Sequence, residues 1–74
     1  MNRAVVSYDD ELTIVQGRHV GRVLAEAGMK STYVGTLRGW TLDLRHLADV
    51  IAVLERASYR VRVASVPRPT GGTR

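Results

Sequence analysis

The sequence predicts one small α+β domain in which two helices pack on one face of a mostly antiparallel sheet, in the order ββαββαβ. Two stretches carry apolar residues at helical spacing, and short runs rich in β-branched residues precede, separate and follow them. The length of 74 residues leaves room for a single hydrophobic core. These three observations together define the fold class.

Two short β-rich runs open the chain, at 3–7 and 12–16, and Tyr8-Asp9-Asp10-Glu11 lies between them. A polar link of this length is typical of a hairpin loop. The three acidic residues could alternatively hold a metal ion, but adjacent carboxylates lack the spaced ligands of a calcium loop. We therefore interpret them as a solvated turn and predict no metal site.

The period changes to that of a helix between Arg18 and Ala27. Gly17 is an acceptable N-cap, and Gly28 stands where a helix commonly ends in a left-handed residue. Gly21 lies inside this helix, where glycine costs about 1 kcal/mol relative to alanine. We therefore expect Gly21 to mark a close approach between the helix and the sheet.

A second hairpin is predicted from a strand at 31–34, a glycine-flanked turn at 35–39 and a return strand at 40–42. Trp40 is the only tryptophan, and the chain has no phenylalanine. Its size favours a role as a core anchor, and the alternative is a platform on which a nucleic-acid base stacks.

Asp43 is a good N-cap for the most strongly amphipathic helix, whose apolar stripe runs from Leu44 to Ala57 and which should end near Ser58. Residues 59–63 then alternate strictly between apolar and basic, as in a strand with one buried face. This places Arg60 and Arg62 outward, about 7 Å apart along one face.

The last nine residues, 66–74, contain two prolines and two glycines with little apolar content. They are predicted to form a flexible basic tail that includes Arg68, so the folded domain spans residues 1–65.

The sequence offers no arrangement typical of an active site. His19 and His46 lie on different predicted helices, and without cysteine there is neither a disulfide nor a thiolate metal site. We expect a non-enzymatic protein without a cofactor. No apolar run approaches the roughly 20 residues that span a bilayer, and the N-terminus does not resemble a secretory signal, so we expect a soluble, cytoplasmic protein.

The net charge is +4, and Lys30 is the only lysine among eleven basic residues. Arginine binds phosphate and carboxylate with a bidentate fork, which gives this bias a functional interpretation. The alternative is the codon usage of a GC-rich genome, which enriches arginine, alanine, valine and glycine together.

Arginine placement is the feature that most suggests a function. Arg60 and Arg62 share a strand face, Arg38 lies in a hairpin turn and Arg68 lies in the tail. Together with Tyr33 or Tyr59, these side chains suit a nucleic-acid surface. The alternative is an outer strand whose arginines prevent edge-to-edge aggregation.

The segment from Gly39 to Val63 resembles the HARP-type module of annealing helicases. The likeness is a Gly-Trp strand end, a leucine-rich helix and an alanine-aromatic-arginine-valine strand, carried by Gly39, Trp40, Thr41, Leu44, His46, Leu47, Leu54, Ala57, Tyr59, Arg60 and Val61. The resemblance implies a small sheet with helices on one side and a role in engaging DNA. No Walker motif is present, so it implies at most a stand-alone binding module.

Two functions follow as hypotheses. The first is a small DNA-binding module that contacts phosphates through arginines on the sheet and tail. The alternative is a protein-interaction adaptor or inhibitor, of the kind that phages encode, that docks on a larger protein or forms a homodimer. Short chains without disulfides often gain stability by self-association, and exposed sheet edges accept added strands.

Overall fold

A computed structural model of the protein describes residues 2–65. The predicted tail at 66–74, with Arg68, lies outside the described residues. The elements follow the chain as strands β1 (Asn2–Tyr8) and β2 (Leu12–Gly17), helix α1 (Val20–Glu26), strands β3 (Thr32–Val34) and β4 (Gly39–Asp43), a 3₁₀ turn (Leu44–His46), helix α2 (Leu47–Arg56) and strand β5 (Tyr59–Ser65).

The five strands form one sheet in the order β3-β4-β2-β1-β5. The pairs β3–β4, β4–β2 and β2–β1 are antiparallel, whereas β5 runs parallel to β1. The predicted small α+β domain with two helices is therefore confirmed, but the sheet is mixed. A parallel neighbour requires a long crossover, and the stretch from β2 through α2 supplies it.

The core lies between the sheet and both helices. The sheet contributes alternate side chains such as Val6, Val15 and Leu42, all nearly inaccessible to solvent. Helix α1 contributes Val20 and Leu24, and helix α2 contributes Val50 and Leu54. The period of two in the strands and of 3.6 in the helices thus brings the fully buried side chains to one layer, whereas Ile14, at 9% exposure, lies on the opposite face of the sheet.

The loop of the β1–β2 hairpin lies at the acidic segment, as predicted. The Asp9 carboxylate accepts hydrogen bonds from the backbone N–H groups of Glu11 and Leu12, both at 2.7 Å. An aspartate that bonds its own following backbone stabilises a tight turn. The carboxylate of Asp9 therefore has a structural role.

Helix α1 starts two residues later than predicted, because the backbone between β2 and the helix is not helical. His19 adopts a left-handed conformation with φ 62°, and no side chain caps the helix. Gly17 thus ends β2 and is not the N-cap. The predicted end is confirmed: Gly28 has φ 78°, its N–H bonds to the Ala25 carbonyl, and the next N–H bonds to Leu24, as in a Schellman motif.

Gly21 lies directly over the indole ring of Trp40. A β-carbon at this position would overlap the ring, so only glycine allows α1 to sit so close to the sheet. The prediction of a close approach at Gly21 is confirmed. Trp40 packs against the core and meets the Tyr33 ring edge-on, with 5.4 Å between ring centroids.

Asp43 caps the helical segment that follows it, but this segment opens as a 3₁₀ turn, so α2 begins at Leu47, three residues later than predicted, with His46 as its N-cap and no side-chain cap. Asp43 is also the last residue of β4. Its carboxylate accepts a hydrogen bond from the Arg45 N–H and so caps the 3₁₀ turn that leads into α2. Helix α2 ends at Arg56, and Ser58 follows in a left-handed conformation with φ 69°. No helix within residues 2–65 is long and apolar enough to cross a membrane.

Candidate functional site

The sheet face that the helices leave uncovered, called here the open face, carries a cluster of arginines. Its members follow from the register: Arg3 pairs with Arg60 across the β1–β5 ladder, and Val5 pairs with Arg62. Paired residues point to the same side of a sheet, and neighbouring strands lie about 4.8 Å apart. Arg3, Arg60 and Arg62, all exposed, therefore occupy adjacent positions, and we call them the arginine cluster.

The cluster has a local sequence cause and a tertiary one. The alternation of 59–63 turns Val61 toward the helices and Arg60 and Arg62 away from them. Arg3 joins them only because β5 inserts alongside β1, 57 positions away in sequence. The sequence prediction missed Arg3, since alternation predicts that it is exposed but does not reveal which strand pairs with β1.

No carboxylate within residues 2–65 forms a salt bridge with the cluster. Between described residues, Arg22 forms a salt bridge with Glu26, and the His46 ring lies 4.0 Å from the Asp49 carboxylate, both on the helical side. Like charges on paired positions repel one another and destabilise a sheet. Three neighbouring guanidinium groups therefore form a surface on which an external anion would relieve repulsion.

Charge is segregated along the strands. The β3–β4 turn, with exposed Arg38 at φ 51°, lies at the end of the sheet where β1 and β5 begin. The acidic turn at 9–11 lies at the other end and begins about 20 Å from Arg3, six residues along the chain. The basic end of the open face is thus well separated from the acidic one.

Arg38 lies at the same end of the sheet as the arginine cluster but is not on a strand that pairs with β1 or β5. Two strand spacings, about 10 Å, separate β4 from β1, with β2 between them. The Gln16 side chain donates to the Leu37 carbonyl at 2.7 Å and ties this turn to β2. Arg38 is therefore positioned to extend a basic surface across the end of the sheet.

Tyr59 does not belong to this surface, contrary to the sequence prediction. It is only 6% exposed, its ring lies in the core, and its hydroxyl donates a hydrogen bond to the Arg18 carbonyl. The reason is the alternation of side chains along β5: Tyr59 and Val61 are two positions apart, so both point to the face that α2 covers. Tyr59 anchors the first residue of β5 and thereby positions Arg60.

All the aromatic side chains point away from the open face. The chain has one tryptophan and three tyrosines, and the register places Tyr8, Tyr33, Trp40 and Tyr59 on the helix-covered side. Tyr33, at 53% exposure, is accessible at the β3 edge. The open face therefore offers charge, hydrogen bonds and aliphatic contact, without an aromatic platform.

Residues 2–65 contain no group of three or more histidine, aspartate or glutamate side chains arranged to hold a metal ion. His19 lies at the start of α1, whereas His46 lies 4.0 Å from the Asp49 carboxylate at the start of α2. The structure thus does not bring the two histidines together.

Comparison with known proteins adds no relative to this description: no family model, no curated protein and no solved structure matches the chain. The arguments for function therefore depend on the sequence and the geometry above.

Proposed function

We propose that the protein is a small non-enzymatic DNA-binding module that contacts the phosphate backbone through the arginine cluster. The observation that carries the proposal is the placement of Arg3, Arg60 and Arg62 on adjacent positions of an uncovered sheet face. Guanidinium groups match phosphate oxygens with two parallel hydrogen bonds. The resemblance of 39–63 to HARP-type modules points the same way, and Arg60 is one of the residues that carry it.

The mode of binding follows from what the open face lacks. Without aromatic side chains, bases cannot stack on it as they do on single-strand binding platforms. Phosphate contacts position a protein without reading sequence. We therefore propose sequence-independent contact with duplex DNA, in which Arg38 extends the basic surface and Arg68 of the predicted tail adds positive charge.

The test is the salt dependence of binding to a fluorescently labelled DNA duplex, measured by anisotropy. The three phosphate contacts of the arginine cluster predict a slope of log K against log salt of about −2.7, since each contributes about −0.9, and any contact by Arg38 or Arg68 would make the slope steeper. The double variant Arg60→Gln, Arg62→Gln should flatten this slope by about 1.8. At low salt it should also bind at least about tenfold more weakly, because hydrogen bonds between charged groups contribute about 1.5–3 kcal/mol each.

Arg22→Gln is the matched control, because it removes one positive charge from the outer side of α1, where Arg22 pairs with Glu26. If the cluster binds DNA, the single variant Arg62→Gln should lose clearly more affinity for the duplex than Arg22→Gln. Equal losses would show that binding depends only on net charge, and no retention at low salt would exclude the proposal. Thermal unfolding should show that the double variant is at least as stable as the parent, since repulsion is relieved.

A second candidate function, as a protein-interaction module, is favoured by the outer edge of β5. This edge strand is seven residues long and has no strand neighbour beyond it within residues 2–65, whereas the opposite edge strand, β3, has three residues. Val63 on β5 is 46% exposed. An unpaired edge of this length can accept an added strand from a partner or from a second copy.

The two candidates differ in their response to nuclease. If the edge is the functional surface, one stoichiometric partner should remain bound after nuclease treatment and be lost with Val63→Lys, because a lysine on an edge opposes strand addition. Light scattering of the purified chain, with the same variant as comparison, would reveal a homodimer. Loss of every partner under nuclease would exclude the interaction module and favour DNA binding.

A further inference from the structure

The seam between the two helices contains a groove on the side of the molecule opposite the open face. The groove, about 630 Å³, lies between the end of α1, the link to β3 and the outer side of α2, and is lined in part by Leu42 of β4. Its volume is within the size range of small-molecule sites. A separate, smaller cavity of about 280 Å³ borders it and shares Ala27, Val53 and Arg56 with it.

The groove exists because small side chains face one another across the seam. Ala27 and Gly28 follow the last residue of α1, and Ala52 faces the seam from α2. Helix α1 has only seven residues and stops in the Schellman motif at Gly28, so α2 extends past it without a helical neighbour. Exposed Ala27 and Ala52 leave the space between the elements unfilled.

The lining combines an aliphatic surface with positive charge. Met29, Leu42 and Val53 provide apolar contact. The basic side chains that line the groove, with His46 beside them, are Lys30, Arg45 and Arg56, and none of these three forms a salt bridge with a carboxylate of residues 2–65. Among the described residues, Asp49 is the only carboxylate that lines the 630 Å³ groove, and it lies beside His46. Glu26 lines the smaller neighbouring cavity and forms a salt bridge with Arg22.

We infer that this groove binds a small organic anion with an elongated aliphatic body, such as an acyl-chain carboxylate or an alkyl phosphate. The chain would lie along Met29, Leu42 and Val53, and Lys30 with Arg45 would hold the anionic head. Inorganic phosphate would contact only the cations of the lining, and a neutral aliphatic chain would contact only its apolar part. Each should therefore bind more weakly than a ligand that combines the two. This site is separate from the arginine cluster and does not depend on the DNA proposal.

The experiment is a titration of ¹⁵N-labelled protein with sodium decanoate and with decyl phosphate, kept below micelle formation and followed by amide chemical shifts. We expect saturable shifts centred on Gly28 and Ala52, with small changes on β1 and β5. Decanol should bind at least about tenfold more weakly, because charge-assisted hydrogen bonds contribute about 1.5–3 kcal/mol. Comparison of the two anions identifies the preferred head group.

Two variants locate the site. Lys30→Gln with Arg45→Gln should weaken both anions and leave decanol unchanged, whereas Ala52→Leu should block all three ligands by filling the groove from an exposed position on α2. Arg18→Gln with Arg22→Gln is the charge-matched control, because both residues are exposed and neither lines the groove. Equal binding of decanol, equally strong binding of inorganic phosphate, the absence of saturable shifts, or shifts centred on the open face would each overturn the inference.

Discussion

Replacing Leu54 by alanine is expected to remove much of the stability of the domain. Leu54 is fully inaccessible and lies in the cluster that joins α2 to the sheet. Buried leucine-to-alanine changes cost about 2.7–5 kcal/mol, because a cavity remains where the side chain was. A domain of this length has a free energy of unfolding of only about 4–11 kcal/mol at typical values per residue. The midpoint of thermal unfolding should therefore fall by at least about 11 °C, since 1 kcal/mol lowers it by about 4–8 °C in a domain of this size.

Leu37→Ala is the matched control, because the Leu37 side chain is 40% exposed on the β3–β4 turn. Its midpoint should change far less, since truncating it leaves no cavity in the core. Circular dichroism during heating measures both variants. Similar shifts in the two would contradict the assignment of the core, as would a small shift for Leu54→Ala alone.

Gly21→Ala is expected to destabilise the protein even though alanine is the better helix former. In an exposed helix this change would add about 1 kcal/mol of stability. Here the new methyl group would overlap the Trp40 indole ring, and forcing extra volume into packed structure typically costs about 1–3 kcal/mol. The ring or the helix must move, so we expect a net loss of stability in urea unfolding.

A double-mutant cycle tests the cause. Combining Gly21→Ala with Trp40→Leu should lose less stability than the sum of the two single changes, because the smaller side chain makes room for the methyl group. Gly35→Ala is the control, because a β-carbon there would meet no atom within 4 Å. Strict additivity in the cycle, or an increase in stability with Gly21→Ala alone, would contradict the packing described here.

Local patterns were sufficient for much of the fold. The spacing of apolar residues in α2, the acidic turn after Tyr8 and the end of α1 at Gly28 were all predicted from sequence. Each depends on interactions between residues a few positions apart, where helix period, turn chemistry and glycine conformation decide the outcome. The predicted start of α1 was wrong, because His19 adopts a left-handed backbone conformation that a histidine in the sequence does not indicate.

The candidate site was only partly predictable. The alternation of 59–63 placed Arg60 and Arg62 outward, but the same alternation turns Tyr59 into the core, and the prediction that its ring joins the surface was wrong. Tyr59 is adjacent to Arg60 in the sequence but lies on the opposite face of β5. In a strand, neighbouring residues point to opposite sides.

The helices, the strands, the hairpin turns and the outward direction of the arginines on β5 were predictable, because they follow from short-range periodicity and backbone preference. The parallel pairing of β5 with β1, the position of Arg3 beside Arg60 and Arg62, and the placement of all the aromatic rings on the other face were not. Strand pairing between residues 57 positions apart depends on how the crossover packs, and no local pattern records it.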